Sequence, residues 1–535
     1  MEEVCMYSIF IKNGLIVDGT GAAAYPANLG ISGDKITYIG NEVFEAEQTI
    51  DAAGKMVTPG FIDVHSHGDL TMGEEFTGLA KLSQGITTEI VGQCGLSAIP
   101  VSGARKNVVI EYFKGSRPAY AREHLDEFAT LESFAKYSEN RGLYANTAMF
   151  IGHCTVRMSV MGMDNRPATE EELEAMRVQV RLAMEQGAVG LSSGLVYAPG
   201  PFAPKEELIE LCKVVKEYNG FYVTHMRNES DTVEAALQEA LDVADATGVK
   251  LWISHHKAQG VKNFGKIKKT VAMIEEYRAK GLEIYYDIYP YVASSTQCSA
   301  MISPRFQTEG RAGLVEKLKD PAFRAEVKQD MISPKVPYDN FYLNCGSFEN
   351  VTLAACLNTP EADGMTIAEY ARKTQTADEF DAFFDLFVAN EGSIFCCFFC
   401  MSFDDLDYLI QKDFATIGTD GLAMRPNSKS HPRAFGSFPT AIRRFVKEKQ
   451  ILTMEEMIKK FTGFAARQYK LEGRGELKEN FYADVLVMDP ETICGAADYV
   501  DCFALSEGIE HVIVNGREAY TDKKLTQVRN GKFLR

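Results

Sequence analysis

The stretch Pro59-Gly-Phe-Ile-Asp-Val-His65-Ser-His67 decides how the rest of the chain is interpreted. The mostly apolar run from Phe61 to Val64 is typical of a buried strand, and the two histidines follow it. Side chains two residues apart on a strand point to the same side, so His65 and His67 can converge on one point. Two imidazoles on one face suit a metal ion. A His-x-His pair alone, however, is more often an ordinary core or surface feature, so the surrounding sequence has to decide.

The segment 59–470 alternates strand-like and helical patterns. The strand candidates are Phe61–His65, Thr87–Gly92, Thr147–Gly152, Gly190–Ser193, Phe221–His225, Leu251–His255, Glu283–Tyr289 and Thr416–Asp420. Helical patterns lie between them at Thr169–Gln186, Glu206–Tyr218, Thr232–Thr247 and Lys266–Lys280. Eight strands alternating with helices predict an α/β fold of the (β/α)8 barrel type.

The spacing of the strands breaks once, between 283–289 and 416–420. This interval is several times longer than a normal helical crossover. We expect an inserted subdomain at about 297–360, on the loops that frame the active site. The helical pattern at 364–390 is then expected to return the chain to the barrel.

Both chain ends, 1–58 and 471–535, are rich in short strand patterns. Asn13-Gly14 and Gly33-Asp34 predict tight turns near the start, and Asn515-Gly516 predicts one near the end. Two β-rich ends around a mixed middle predict one small β-sandwich built from both ends.

Composition limits the partners. The 535 residues carry a net charge of −18, which argues against a nucleic acid or an anionic membrane as the main partner but leaves a small anionic substrate possible. The twelve cysteines are irregularly spaced, the start is acidic, and no apolar run reaches the ~18 residues of a membrane helix. We expect a soluble, cytoplasmic protein with reduced thiols, and homo-oligomerisation is left open.

Polar residues with metal-binding chemistry follow several of the predicted strands. Barrel active sites lie at the carboxyl ends of the strands. Four of the nine histidines, one cysteine and one aspartate fall at these ends: His65, His67, Cys94, His225, His255 and Asp420. Scattered core residues would not be expected to share these positions, so the sequence predicts a metal site.

Several motifs resemble the amidohydrolase superfamily and, within it, the N-acyl-D-amino-acid deacylases (D-aminoacylases). They are PGFIDVHSHGDL at 59–70, VGQCGLSAIP at 91–100, THMRNE at 224–229, ISHHKAQG at 253–260, GTDG at 418–421 and HPRAFGSFP at 431–439. The first marks the superfamily, and the Gln-Cys-Gly, Ser-His-His-Lys and His-Pro-Arg motifs narrow it to the deacylase branch. The likeness covers nearly the whole chain.

The resemblance implies a tight zinc site and a catalytic acid–base. Carried onto this sequence, the tight site consists of Cys94, His225 and His255, and a second, weaker metal site consists of His65, His67 and Asp420. Asp420 would take a proton from the attacking water and deliver it to the leaving amine nitrogen. The expected reaction is hydrolysis of the amide bond of an N-acyl-D-amino acid to a carboxylate and a free D-amino acid.

The resemblance also implies how the substrate's α-carboxylate is held. Arg433 is similar to the family's carboxylate-binding arginine, since a planar guanidinium can grip a carboxylate with two hydrogen bonds. Lys257, Tyr289 and Ser295 are expected to complete the polar wall. The roles of His256, which follows a ligand, and of His153, in a Gly-His pair, are left open.

Two other functions are weighed. A ring-opening cyclic amidase of the hydantoinase or dihydroorotase kind usually carries a metal-bridging lysine, and Cys94 argues against it. A non-catalytic amidohydrolase-like scaffold would gain nothing from keeping the ligand set together with Asp420. The sequence does not specify the preferred side chain or acyl group, nor whether the second metal site is filled.

Overall fold

The computed structural model describes residues 7–113, 123–422 and 428–535. The first six residues of the predicted N-terminal β-rich segment therefore lie outside the described residues. The strands are β1 (Tyr7–Ile16), β2 (Tyr25–Ser32), β3 (Lys35–Gly40), β4 (Ala46–Asp51), β5 (Met56–Pro59), β6 (Phe61–Asp63), β7 (Ile86–Val91), β8 (Asn146–Met149), β9 (Ile151–Gly152), β10 (Gly190–Gly194), β11 (Phe221–His225), β12 (Lys250–Ile253), β13 (Ile284–Ile288), β14 (Ala293–Gln297), β15 (Val351–Cys356), β16 (Ile394–Phe399), β17 (Ala415–Ile417), β18 (Val485–Met488), β19 (Ile509–Val514), β20 (Arg517–Thr521) and β21 (Lys524–Leu525).

The helices lie mostly between the parallel strands and in the long segment before β17. They are Glu75–Leu82, Lys106–Phe113, Leu131–Arg141, His153–Met161, Glu170–Glu185, Lys205–Glu217, Val233–Thr247, Ile267–Ala279, Gly310–Lys317, Pro321–Ile332, Phe341–Cys345, Ile367–Thr374, Glu379–Ala389, Phe403–Leu409, Arg433–Ala441, Met454–Lys459 and Ala465–Tyr469. No described helix is long and apolar enough to cross a membrane.

The parallel strands of the middle segment form two sheets, ordered β6-β7-β8 and β17-β13-β12-β11-β10-β9. All eight predicted strand positions are occupied, and the four predicted helices appear within a residue or two of their expected ends. β7, β10, β11 and β13 are buried along their whole length, as expected for strands covered by helices on one side and core on the other. A parallel bridge between Ser66 and Gly421 links the segments that follow β6 and β17.

Both chain ends contribute to one nine-stranded sheet in the order β21-β20-β19-β18-β5-β1-β2-β3, with β4 beside β1. β5 pairs antiparallel with β18, which joins the N-terminal and C-terminal portions through backbone hydrogen bonds. Both ends therefore contribute to one β unit, which takes the form of a single sheet. The division of this sheet into the two layers of a sandwich stays a prediction.

The predicted turn at Asn13-Gly14 is wrong. β1 runs unbroken through it, and the register against β2 shifts between Ile11 and Gly14, so the dipeptide forms a bulge. Asn13 has φ +62°, and its backbone N–H donates to Asn28 Oδ1 (2.9 Å) on the neighbouring strand. Because β2 pairs with β1 on both sides of this point, tertiary pairing overrides the local turn preference. Asn515-Gly516, by contrast, forms the turn between β19 and β20 as predicted.

The inserted unit is larger than the predicted 297–360. Its sheet has the order β14-β16-β15, so it begins at Ala293 and ends at Phe399. The helices Ile367–Thr374 and Glu379–Ala389 pack on each other and on this unit, and Phe403–Leu409 is the helix that packs back onto Ile267–Ala279. The expectation that 364–390 returns the chain to the barrel is therefore wrong, because the apolar strand β16 that follows must pair between β14 and β15.

Candidate metal centre and active site

Four of the predicted ligands converge where the parallel strands end. His65, Cys94, His255 and Asp420 each offer an atom within 4.8 Å of the others, and all four are buried. Cys94 Sγ lies 3.3 Å from His65 Nε2 and 3.4 Å from His255 Nε2. The structure therefore brings these four side chains together, as their strand-end positions predicted, although they are spread between residues 65 and 420.

Three of these residues sit in left-handed backbone conformations. Cys94 has φ +54°, His255 has φ +36° and Asp420 has φ +48°. A non-glycine residue held in this region costs on the order of 1–3 kcal/mol and persists only where the surrounding structure enforces it. This concentration of strain at strand ends, around one cluster, is typical of a functional site.

His225 lies beside the cluster and lacks hydrogen-bond partners. Its ring centroid is 4.5 Å from that of His255, and it forms a second candidate group with Glu229 and His255. Neither ring nitrogen of His225 makes a hydrogen bond within the described part of the chain, although both are buried. Buried polar atoms without partners are costly. A metal ion held with Cys94 and His255 would satisfy one of these nitrogens, so the residues present fit zinc.

Glu229 contacts His255 and lies beside His225, and it was not among the residues predicted for the site. Its side chain is fully buried, with Oε1 3.1 Å from His255 Nδ1 and Oε2 3.6 Å from His225 Nε2. A carboxylate that accepts the Nδ1 proton of a histidine leaves Nε2 free for a metal. Glu229 follows His225 by four residues within the THMRNE motif, and that proximity is the signal that could have identified it.

Lys257 lies behind His255 rather than in the cavity. Its Nζ is 2.7 Å from Glu229 Oε2 and 2.6 Å from His255 Nδ1. Burial alone would raise the pKa of Glu229, but the charges of Lys257 and His225 outweigh it and hold the pKa well below its usual range. Glu229 is therefore a carboxylate whose charge is balanced by Lys257.

Asp287 contacts the Nδ1 atom of His65 as Glu229 contacts that of His255, and it was not predicted from the sequence either. Its Oδ1 lies 3.1 Å from His65 Nδ1 and accepts the backbone N–H of His255 at 2.9 Å. Its Oδ2 accepts Trp252 Nε1–H at 2.7 Å, so Trp252 helps to hold the carboxylate in place. Asp287 thus aims the His65 ring with Nε2 toward Cys94, and it also holds the strained backbone of His255.

Asp420 stands where the metal ligands meet the cavity. Its Oδ1 is 3.1 Å from His67 Nε2 and 3.5 Å from His65 Nε2, and its Oδ2 is 2.7 Å from Arg433 Nη1. Burial would raise the pKa of Asp420, but the charge of Arg433 and those of His65 and His255 hold the pKa well below its usual range. Asp420 is therefore ionised in this arrangement, and Arg433 balances its charge.

The thiol of Cys94 is prepared for metal binding. Burial raises the pKa of Cys94, but the charges of His65 and His255 outweigh burial and bring the pKa well below its usual value. Burial and Lys257 lower the pKa of His255, whereas Glu229 and Cys94 raise it, to about 9 overall. A thiolate is the form that binds zinc, and a metal ion that displaces the imidazole protons would take over their charge.

One cavity opens onto this cluster. Two of the four predicted substrate contacts, Ser295 and Arg433, line it. The candidate metal ligands His67, Cys94 and Asp420 also line it. Arg433 Nη2 donates to the backbone oxygen of Ser295 at 2.9 Å. The cavity places these two predicted contacts beside the cluster.

Lys257 and Tyr289, predicted to contact substrate, do not line this cavity in the described chain. The Tyr289 ring lies 5.6 Å from Lys257 Nζ and 5.0 Å from the Arg433 guanidinium, so it contacts both cations. Lys257 follows the end of β12, and the buried carboxylate of Glu229 binds its ammonium group instead.

The two histidines of open role are both structural in this arrangement. His256 is buried, with Nε2 2.8 Å from Thr270 Oγ1 on the following helix, and burial lowers the pKa of His256 to about 4. His153 Nε2 is 2.8 Å from Glu207 Oε1, and Glu207 also pairs with Arg157. Neither belongs to a candidate metal group of the described residues.

Comparisons with known proteins identify the family of this chain. The model of the amidohydrolase family Amidohydro_3 matches residues 48–330. A D-aminoacylase of Alcaligenes xylosoxydans xylosoxydans is 31% identical over 534 residues, which are 99% of this chain and 97% of the relative. The chain therefore belongs to the amidohydrolase family.

Two solved structures resemble the whole chain. One is N-acyl-D-glutamate deacylase from Bordetella bronchiseptica, complexed with zinc and a phosphonate inhibitor that mimics the tetrahedral intermediate, with a TM-score of 0.82, 32% identity and coverage of 99% of this chain and 100% of the other. The second is a D-aminoacylase studied for its binuclear metal centre, with a TM-score of 0.80, 29% identity and 99% coverage of both chains.

Proposed function

We propose that this protein is a zinc-dependent N-acyl-D-amino-acid deacylase, which hydrolyses the amide bond of its substrate to a carboxylate and a free D-amino acid. The observation that carries the proposal is the buried cluster of His65, Cys94, His255 and Asp420, which opens onto a cavity lined by Arg433. The likeness to D-aminoacylase and to N-acyl-D-glutamate deacylase over nearly the full chain supports the substrate class.

Cys94, His225 and His255 would hold the tight zinc ion, and His65, His67 and Asp420 would form a second, weaker metal site. A thiolate with two imidazoles suits zinc and leaves a position open for water. When bound, zinc supplies Lewis acidity toward the amide carbonyl and an activated water at neutral pH. The ring nitrogens of His225 have no hydrogen-bond partner in the described part of the chain, and the carboxylates of Glu229 and Asp287 face His255 and His65. Both observations support this ligand set.

Asp420 is the proposed general base and then the general acid. It accepts a proton from the attacking water and passes it to the amide nitrogen, because an amine leaves only when it is protonated. Arg433 pairs with Asp420 at 2.7 Å, so a substrate carboxylate that binds Arg433 competes with Asp420 for the guanidinium. Substrate binding would thereby loosen Asp420 for proton transfer.

Arg433 and Ser295 are the proposed contacts for the α-carboxylate. Lys257 and Tyr289 support the site without lining the cavity, since Lys257 balances Glu229 and the Tyr289 ring contacts both Lys257 and Arg433. This arrangement distinguishes a linear N-acyl amino acid from a cyclic imide, which lacks a free carboxylate.

We also propose the finer architecture that this reaction needs. The two parallel sheets would form one closed eight-stranded barrel, 59–470, because β8 and β9 are separated by one residue and the Ser66–Gly421 bridge joins the ends of β6 and β17. The sheet of residues 1–58 and 471–535 would fold as a sandwich beside it. The inserted unit supplies Ser295 to the cavity.

The test is a hydrolysis screen of paired N-acetyl-D- and N-acetyl-L-amino acids together with hydantoins, on protein whose zinc content has been measured. We expect release of free D-amino acid from the D series and about one tightly held zinc ion per chain. Cleavage of the L series alone, or of the cyclic imides alone, would overturn the assignment. Absence of any hydrolysis by zinc-loaded protein would favour the scaffold reading.

A further inference from the structure

A second cavity adjoins the catalytic one. Among the described residues, Tyr112, Tyr197 and Gln297 line both cavities, so the two cavities share this part of their walls. We refer to these three residues as the partition and to the second cavity as the chamber. The chamber contains about 1560 Å³ of empty space, including its open mouth.

The chamber has an apolar floor and a charged rim. Buried apolar side chains form the floor: Met161, Val196, Ala198, Ala300, Leu314 and Phe387. Exposed charged side chains form the rim: Arg105, Glu111, Asp164 and Glu309. An enclosed apolar surface behind a polar mouth suits a flexible hydrocarbon group rather than an ion.

The position of the partition indicates which end of the substrate reaches it. β14 carries Ser295, whose backbone oxygen binds Arg433, and two residues further on it carries Gln297 of the partition. Two residues along a strand span roughly 6.6 Å. Gln297 is therefore displaced by about this distance from Ser295, which belongs to the proposed carboxylate site.

Tyr197 connects the partition to the metal ligands. Its ring centroid is 5.1 Å from that of His225, and its hydroxyl accepts a hydrogen bond from Thr296 Oγ1 at 3.1 Å. The partition therefore lies on the ligand side of the cavity. A substrate whose carboxylate is on Arg433 and whose carbonyl reaches the ligands points its acyl substituent toward Tyr197.

We propose that the chamber is the subsite for the acyl group, and that the enzyme accepts N-acyl-D-amino acids with acyl chains much longer than acetyl. This inference rests on the proposed deacylase function. The reaction is unchanged: water adds a hydroxyl group to the carbonyl carbon, the C–N bond breaks, the nitrogen gains a proton, and the products are a longer carboxylic acid and the D-amino acid. Burial of each added methylene group in the chamber drives selectivity for longer chains.

The experiment compares acetyl, butanoyl, hexanoyl and octanoyl derivatives of the D-amino acid that is hydrolysed best as its acetyl form. We expect kcat/KM to rise by up to about fourfold per buried methylene, the equivalent of about 0.8 kcal/mol. The expected total gain from acetyl to hexanoyl is at least about tenfold.

A blocking variant and a matched control assign the gain to the chamber. Met163 lines the chamber and is only partly buried, so Met163→Trp should fill it without disturbing the core. We expect Met163→Trp to remove the gain for hexanoyl and octanoyl while changing kcat/KM for acetyl by less than about twofold. Val336→Trp adds the same side chain to a neighbouring cavity at a 61% exposed position, and it should leave the whole series unchanged.

Several results would overturn the inference. One is a series in which acetyl is preferred, and another is an equal effect of Met163→Trp on acetyl and hexanoyl substrates. If Met163→Trp instead selects against large amino-acid side chains, the chamber holds the side chain and the acyl assignment is wrong. In all three cases N-acetyl substrates are still hydrolysed, whereas failure of the proposed function would abolish hydrolysis of every member.

Discussion

The metal centre has two sides that differ in how they are held. The inner side consists of His225, His255, Glu229 and Lys257, and none of these lines the catalytic cavity in the described chain. The outer side consists of His67, Asp420 and Arg433, all of which line it. Cys94 lies between the two sides, and its thiol is buried while facing the cavity.

The difference lies in what balances each charge. On the inner side, Glu229 is fully buried and paired with Lys257, so its charge needs no substrate or solvent. On the outer side, Asp420 is paired with Arg433, which a substrate carboxylate can also bind. A permanent internal pair suits residues that hold a metal, whereas an exchangeable pair suits residues that react.

The largest expected effect comes from the residue shared by both sides. Cys94→Ala should lose the tight zinc and lower kcat/KM by more than about 10⁴-fold, because several kcal/mol of charge stabilisation and the activated water are lost together. Zinc analysis of the purified protein and steady-state kinetics measure both. Cys212→Ala removes another buried thiol outside the candidate groups and should keep zinc and activity. Full activity in the Cys94 variant would contradict the site.

Next, Asp420→Asn tests whether the outer side takes part in catalysis rather than in holding the tight zinc ion. We expect kcat to fall by about 10²–10⁴-fold, the usual contribution of a general acid–base, while the tight zinc stays near one per chain. Zinc content and kcat of the same preparation give the answer. If zinc is lost in parallel with kcat, Asp420 belongs with the tight ligands, and the distinction between the two sides fails.

Glu229→Gln tests the inner side. Loss of the carboxylate behind His255 should lower zinc affinity by about 10–100-fold, the usual cost of removing such a partner. Competition with a chelator measures the affinity, and added zinc should restore most of kcat. Glu239→Gln is the matched control, because Glu239 pairs with Arg227 and belongs to neither candidate metal group. Unchanged zinc affinity in the Glu229 variant would show that Glu229 does not support His255 as a zinc ligand.

The smallest expected effect comes from His256, which adjoins the inner side. Its protonation should make the stability of the fold depend on pH. Burial lowers the pKa of His256 in the folded protein to about 4, against 6.5 for the ordinary side chain. The unfolded chain therefore binds more protons than the folded one between these pH values. The contribution of neutral His256 to the free energy of unfolding is fully present above pH 6.5 and is lost as pH falls toward 4. The shift corresponds to about 3 kcal/mol.

His256→Gln keeps a polar partner for Thr270 without a titrating group. Its unfolding midpoint should therefore fall less than that of the parent protein between pH 6.5 and 4.5. Thermal or urea unfolding at both pH values measures the difference. Equal losses in the two proteins would show that other groups control acid sensitivity, whereas zinc content at neutral pH should be the same in both.

The sequence by itself determined the chemistry of the site and the order of its elements. His65, Cys94, His255 and Asp420 were predicted because each follows an apolar, strand-like run, and the carboxyl ends of parallel strands meet at one edge. Apolar alternation and helical periodicity are local properties, which is why the strand positions and helix ends agree with the structure.

Only the tertiary structure decided which groups support those ligands. Asp287 and the inward turn of Lys257 depend on distances between separate segments, which residue spacing does not contain, and for Glu229 the spacing from His225 gives its proximity but not its pairing with Lys257. Asn13-Gly14 became a bulge because β2 pairs on both sides of it, although Asn515-Gly516 formed the expected turn. A dipeptide or a ligand type is specified along the chain, but its hydrogen-bond partners are specified by the packing of the whole fold.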